Sequence, residues 1–185
     1  MAHFPADLTG TWSVDPAHST LGFVARHAMV SRTRGEFAGF TGGAVIDADR
    51  PELSTAWADI DVASVTTRNE QRDEHLRGAD FFDVRNHPTM TFRSTSLSPH
   101  GEGIVMTGDL TVRGTSHPVE IRWEFGGLAR DPFGNVRAGF DGSSRLSRKD
   151  YGLTWNAVLE TGGVLVSDGI DLTLEVSAVK QPGER

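Results

Sequence analysis

The segment Ile104 to Arg113 sets Ile104, Met106, Gly108, Leu110 and Val112 on one side. Val105, Thr107, Asp109, Thr111 and Arg113 fall on the other. Strand side chains alternate, so such a segment has one dry face and one wet face. The pattern recurs along the chain. Leu21, Phe23 and Ala25 oppose Thr20, Gly22, Val24 and Arg26; Val119, Ile121, Trp123 and Phe125 oppose Glu120, Arg122 and Glu124. Val136, Ala138 and Phe140 oppose Arg137, Gly139 and Asp141, and Leu172, Leu174, Val176 and Ala178 share a face within Ile170–Lys180. Shorter strands are read at Thr9–Val14, at Thr55–Val65 and at Thr89–Ser96, where Met90 and Phe92 share a face. Gly35–Asp49 reads as one long glycine-rich strand with room for a bend at Gly42-Gly43. Turn chemistry separates these runs at Asp15-Pro16, Ala28–Arg34, Asn86-His87-Pro88, Pro99-His100-Gly101, Gly114 and Asp131–Asn135. Ser147–Gly152 reads as an irregular turn.

Only Thr66–Asp83 has the character of a helix. Thr67 and Glu70 have capping-box spacing, Gly78 suits a C-terminal cap, and Leu76 with Phe81 and Phe82 supplies the only apolar anchor. A parallel sheet needs a crossover after every strand, and one helix cannot supply them. Eight or nine strands with short hairpin connections therefore predict an all-β fold: an antiparallel barrel of about eight strands with one short helix, closed so that no edge is exposed. No boundary divides residues 1–185; the core is expected over residues 10–180, with Gln181–Arg185 as a loose tail.

Composition narrows the function. A formal charge of −7 argues against nucleic acid and anionic membranes as partners. Without cysteine the chain has no disulfide, thiol nucleophile or thiolate metal site. No apolar run has the length of a membrane-spanning helix. The N-terminus MAHFPADLTGTW lacks the basic start and apolar run of a secretory signal, so a cytoplasmic location is expected.

An eight-stranded barrel is just wide enough to be filled by side chains or to hold one small ligand. The inward set comprises Phe23, Phe92, Met106, Leu110, Ile121, Trp123, Phe125, Ala138, Phe140 and Leu174. Large and small residues alternate in it, which suits either an interdigitated core or a tunnel. The seven histidines show no HExxH or other ligand spacing, and structural roles fit them, so no metal or other cofactor is expected. His27 and His75 would meet only if the helix lay over the second strand. There is no GxSxG, GxGxxG or P-loop pattern. Asp59 and Asp61 share a strand face, as solvated strand residues also do. No enzymatic activity is expected; the alternative is an enzyme or metal-dependent protein using His27 and His75.

Several motifs occur in order. They are VDPAHSTLGFVARH (Val14–His27), SVTTRNEQRDEHLRGADFFD (Ser64–Asp83), HPTMTFRST (His87–Thr95), GDLTVRGTSHPV (Gly108–Val119), RKDYGL (Arg148–Leu153) and VSDGIDLTLEVSA (Val166–Ala178). Together they resemble the YceI-like family of lipocalin-like, polyisoprenoid-binding barrels, from about Trp12 to Ala178. The resemblance implies an extended antiparallel barrel holding the tail of a polyprenyl lipid, quinone or fatty-acid-like amphiphile, with no established catalysis. Many members are exported behind a signal peptide, which the N-terminus here lacks. The Arg72-Asp73-His75 group would seat the helix. Arg26, His27, Arg68 and Arg72 are the candidates for meeting a polar head at the mouth. The expected role is transport or storage of such an amphiphile, without nucleic-acid binding or stable membrane insertion. A homodimer is left open.

Overall fold

The computed structural model describes residues 4–183. Its strands are β1 (Gly10–Val14), β2 (Thr20–His27), β3 (Ser31–Phe37), β4 (Phe40–Ile46), β5 (Thr55–Asp61), β6 (Val65–Thr66), β7 (Thr89–His100), β8 (Gly103–Val112), β9 (Thr115–Arg130), β10 (Val136–Ser147) and β11 (Val166–Lys180). The helix α1 spans Glu70–Arg77, between β6 and β7. Every pairing is antiparallel.

Three pairs of strands are halves of longer staves. β1 and β2 both pair with β11, at Trp12↔Lys180 and Leu21↔Leu174. β4 pairs with β1 and β3 with β2; β5 pairs with β4 and β6 with β3. With β7 to β11 these make a closed eight-stave meander, the antiparallel barrel expected from the alternation. The interruptions have local causes. Asp15 accepts from Ala17 N–H at 3.0 Å and turns the chain through Pro16–His18 between β1 and β2. The Ser64 hydroxyl accepts from Gly39 N–H at 2.8 Å and donates to Asp61 C=O at 2.6 Å, fixing the breaks between β3 and β4 and between β5 and β6 together.

Three buried clusters run along the barrel. Phe37, Phe40, Ile60, Phe81, Met90 and Tyr151 pack at the α1 end. Phe92, Leu97, Met106, Val119 and Ile121 follow. Phe4, Leu8 and Trp12 with Ala138 and Ala178 close the other end, where Trp12 Nε1–H donates to Leu8 C=O at 2.8 Å.

The structure departs from the sequence reading in several places. Ala28–Arg34 is not all turn, because β3 starts at Ser31. The long strand after Gly35 breaks at Ala38-Gly39, and Gly42-Gly43 lie within β4. The seventh strand runs to His100, with a register shift between Ser94 and Ser96. Gln181 N–H bonds Thr11 C=O at 2.8 Å, so the tail begins after it; its last two residues, 184 and 185, lie outside the described part.

The helix starts later than the capping box implies. Asn69 is its cap, accepting from Arg72 N–H at 2.9 Å. Thr67 is instead bound to Asp73, whose carboxylate accepts from Thr67 N–H at 2.8 Å and from its hydroxyl at 2.6 Å. Arg77 donates to Ala63 and Val65 C=O at 3.0 and 3.1 Å, tying the helix to β6. Removing Asp73 leaves two buried donors unpaired, which costs on the order of 1–3 kcal/mol. Asp73→Ala should therefore lower the urea midpoint by that free energy with an unchanged slope. A wild-type midpoint would show that the Asp73 bonds to Thr67 contribute nothing to holding α1.

Candidate functional site

The barrel interior is not filled. An apolar cavity of about 340 Å³ runs along it as a tunnel between the two packed ends, within the range of ~300–1,000 Å³ common for small-molecule sites. Its wall takes side chains from the barrel strands. Leu76, Phe81 and Phe82 contribute from α1 and the segment after it, and Tyr151 and Leu153 from the turn after β10.

The bore stays open because three aromatic rings lie over glycines. The Phe23 ring covers Gly35, the Phe92 ring covers Gly108, and the Trp123 ring covers Gly142. A Cβ on Gly142 would stand 2.6 Å from the Trp123 ring, so a ring can lie flat on the neighbouring strand only where that strand has no side chain. Sequence alternation placed the aromatics inward but could not show that they lie along the wall.

Eight of the ten apolar candidates line the tunnel: Phe23, Phe92, Met106, Leu110, Ile121, Trp123, Phe140 and Leu174. Phe125 and Ala138 point inward but lie off its lining. Phe125 packs on Phe4 and Phe140, and Ala138, 1% exposed, packs in the cluster of Phe4, Leu8 and Trp12. The segment before β1 displaces the space that these two would otherwise face.

The four polar candidates also lie off the lining. Arg72 is committed to the fold: its Nε donates to the Thr67 hydroxyl at 2.7 Å and its Nη2 to Thr67 C=O at 2.9 Å. Arg26 and His27 are exposed near the end of β2, and Arg68 is exposed before α1. His75 bonds Asp80 at 2.9 Å and stacks edge-on against Phe81 and Trp155, and no hydrogen bond joins it to His27. Among the described residues no three His, Asp or Glu converge on a point where a cation would sit.

Sequence reasoning missed two polar residues that border the cavity, Arg148 and Tyr151. Arg148 is 4% exposed and donates to the carbonyls of Ser167, Leu153, Trp155 and Val166 at 2.6 to 3.3 Å. It fastens the turn after β10 to the start of β11. Burial pulls its pKa down, and Asp168, 3.8 Å away, opposes that only partly. Tyr151 is 3% exposed and its hydroxyl has no partner; Trp123 Nε1 is likewise buried without one. These are the only such side-chain atoms among the described residues. A partnerless buried donor costs about 1–3 kcal/mol. Neither was legible, because periodicity assigns a side chain to a face and says nothing about its hydrogen-bond partners.

Fold and site define a class: a closed antiparallel barrel around an apolar tunnel, with buried donors in its wall. The chain belongs to the YceI-like domain family, whose model matches residues 12–178. It is 38% identical over 165 residues to a UPF0312 protein of Ectopseudomonas mendocina, covering 89% of this chain and 83% of that protein. A Campylobacter jejuni YceI protein superposes with a TM-score of 0.73 at 30% identity, over 85% of this chain and 90% of that one. A polyisoprenoid binding domain from Saccharophagus degradans superposes with a TM-score of 0.68 at 17% identity, over 92% and 98%. That last likeness is one of fold. No helix among the described residues is long and apolar enough to cross a membrane.

Burial pushes the Tyr151 hydroxyl up to about 12 from its ordinary 10.0. It is the chain's only tyrosine, so alkaline absorbance titration reads it alone. The midpoint should lie near 12 in the folded protein and return to about 10 in denaturant. Because the folded value is the higher, the stability linked to this group is complete below pH 10 and is lost as pH rises through 12. A folded-state midpoint near 10 would place the hydroxyl in water.

Proposed function

We propose that this protein is a non-catalytic carrier that stores or transports a long-chain amphiphile, with an isoprenoid such as a polyprenyl lipid or quinone as the best fit. The observation that carries the reading is an apolar cavity bordered by Trp123 and Tyr151, whose Nε1 and Oη are buried without partners just behind its surface. A purely hydrocarbon guest would leave both donors unpaired. A guest with an uncharged acceptor oxygen, such as a quinone carbonyl, an ester or an amide, would pair with one and bury its tail against the remaining wall. Tail burial contributes roughly 25 cal/mol per Å² of apolar surface. The Arg148 guanidinium keeps its charge but commits its N–H donors to four carbonyls, so it has little left to grip an anionic head. That favours a neutral head over a diphosphate inside the bore. Membership of a family with a polyisoprenoid-binding domain among its structural neighbours supports the same guest class.

Native mass spectrometry beside an organic extract should show a discrete added mass that matches an extracted lipid. Apo mass alone, with no uptake of added quinone or polyprenol, would overturn the reading. Ala58 lines the bore and lies opposite Gly42 and Phe92 on the flanking strands. Ala58→Trp should abolish uptake while thermal unfolding stays cooperative. Trp123→Phe removes a donor but keeps an apolar ring. It should weaken an acceptor-bearing guest about five- to tenfold, the worth of one hydrogen bond, and leave a hydrocarbon analogue unchanged. Equal effects on both guests would show that Trp123 contributes packing only.

A further inference from the structure

The turn between β2 and β3 is built against local preference. Ala28 and Met29 both take positive φ, 49° and 64°, where such turns ordinarily use Asn or Gly. The tip is also apolar and wet: Met29 is 61% and Val30 85% exposed. Beside it runs the loop of residues 156–165. Ala28 N–H bonds Leu165 C=O at 2.7 Å, Gly163 lies against the Met29 side chain, and Val158 is 85% exposed. Two separate segments thus present apolar side chains at one place on the surface.

The flank of this tip is basic. Arg26 and Arg32 are register partners, and Arg34 lies opposite Val24, so the three arginines share the hairpin's outer face. Like charges directly opposed across a ladder destabilise it. None of the three forms an ion pair among the described residues. The nearest acids on the adjoining strand are committed elsewhere: Asp168 to Lys149 at 3.0 Å and Asp171 to Arg145 at 3.0 Å. Glu36, opposite Gly22, shares this face and offsets one of the three charges, so the face keeps a net positive charge in a chain whose net charge is −7. The same end adjoins the tunnel: Ala25 and Val166 line it, and Val166 is the register partner of His27.

We propose that the β2–β3 hairpin, with the neighbouring loop, docks the barrel reversibly on an anionic phospholipid bilayer. Met29, Val30 and Val158 enter the headgroup boundary, and Arg26, Arg32 and Arg34 meet lipid phosphates. Apolar side chains set among basic ones are the pattern of interfacial attachment. Each basic residue near an anionic surface contributes about fivefold in partitioning. The surface lies where an amphiphile would pass between membrane and tunnel, and in that respect the inference rests on the carrier reading.

The test is flotation of the full chain with vesicles of phosphatidylglycerol in phosphatidylcholine, against phosphatidylcholine alone. The same preparations are assayed for quinone uptake from detergent dispersion. The wild type should float with the anionic vesicles only and be released by high salt. The double substitution Arg26→Ser, Arg32→Ser should weaken this roughly thirtyfold. Met29→Gly with Val30→Ser should weaken it too, and glycine suits the positive φ, so the turn keeps its shape. Val158→Ser, on the separate loop, is the second variant. All should take up dispersed quinone like the wild type. A wild type that does not float, or variants that float as well as it does, would overturn docking. Flotation without quinone uptake would sink the carrier reading and leave docking standing, whereas uptake without flotation would do the reverse.

Discussion

The structure depends on β11 pairing with two partners at once. Its first part bonds β2, its last residues bond β1, and β10 runs along its other side. An open sheet of this length would expose two rows of unpaired backbone groups. Here the first stave returns to the last, and both rows disappear. The kink at Pro16–His18 makes that possible, because it redirects the first stave while β11 still serves both halves. The same closure creates the dry interior, and the two ends of the barrel are packed by the α1 region and by the segment around Leu8.

The barrel was legible because its signal is repeated. Each strand states its two faces independently, and Ile104–Val112 or Leu172–Ala178 leaves no doubt about which side is dry. The breaks at Ala38-Gly39 and Val62–Ser64 were illegible because one distant contact makes both, the Ser64 side chain bridging to Gly39. The helix start was misplaced for a similar reason. Thr67 had cap chemistry, but the carboxylate of Asp73 took its hydroxyl and its amide.

The site divides along the same line. Eight apolar wall residues followed from parity, whereas Phe125 and Ala138 obeyed parity and still missed the bore, because the segment before β1 folds under them. Tyr151 and Arg148 belong to no alternating run, so no pattern aimed them inward. The four polar candidates were chosen for charge near a strand or helix end. Charge alone cannot tell a residue that serves the fold, as Arg72 does, from one left on the surface, as Arg26 and Arg68 are.

The glycines under the aromatic rings carry a consequence for how such a barrel changes over time. Gly35, Gly108 and Gly142 act as recesses into which Phe23, Phe92 and Trp123 fold. The aromatic residues fix how apolar the interior is, but the glycines opposite them fix its gauge. Adding a methyl group to a recess would lift a ring off the wall and narrow the channel without altering any residue that touches a guest. Related barrels can therefore re-size their contents by changing residues that no comparison of lining side chains would single out.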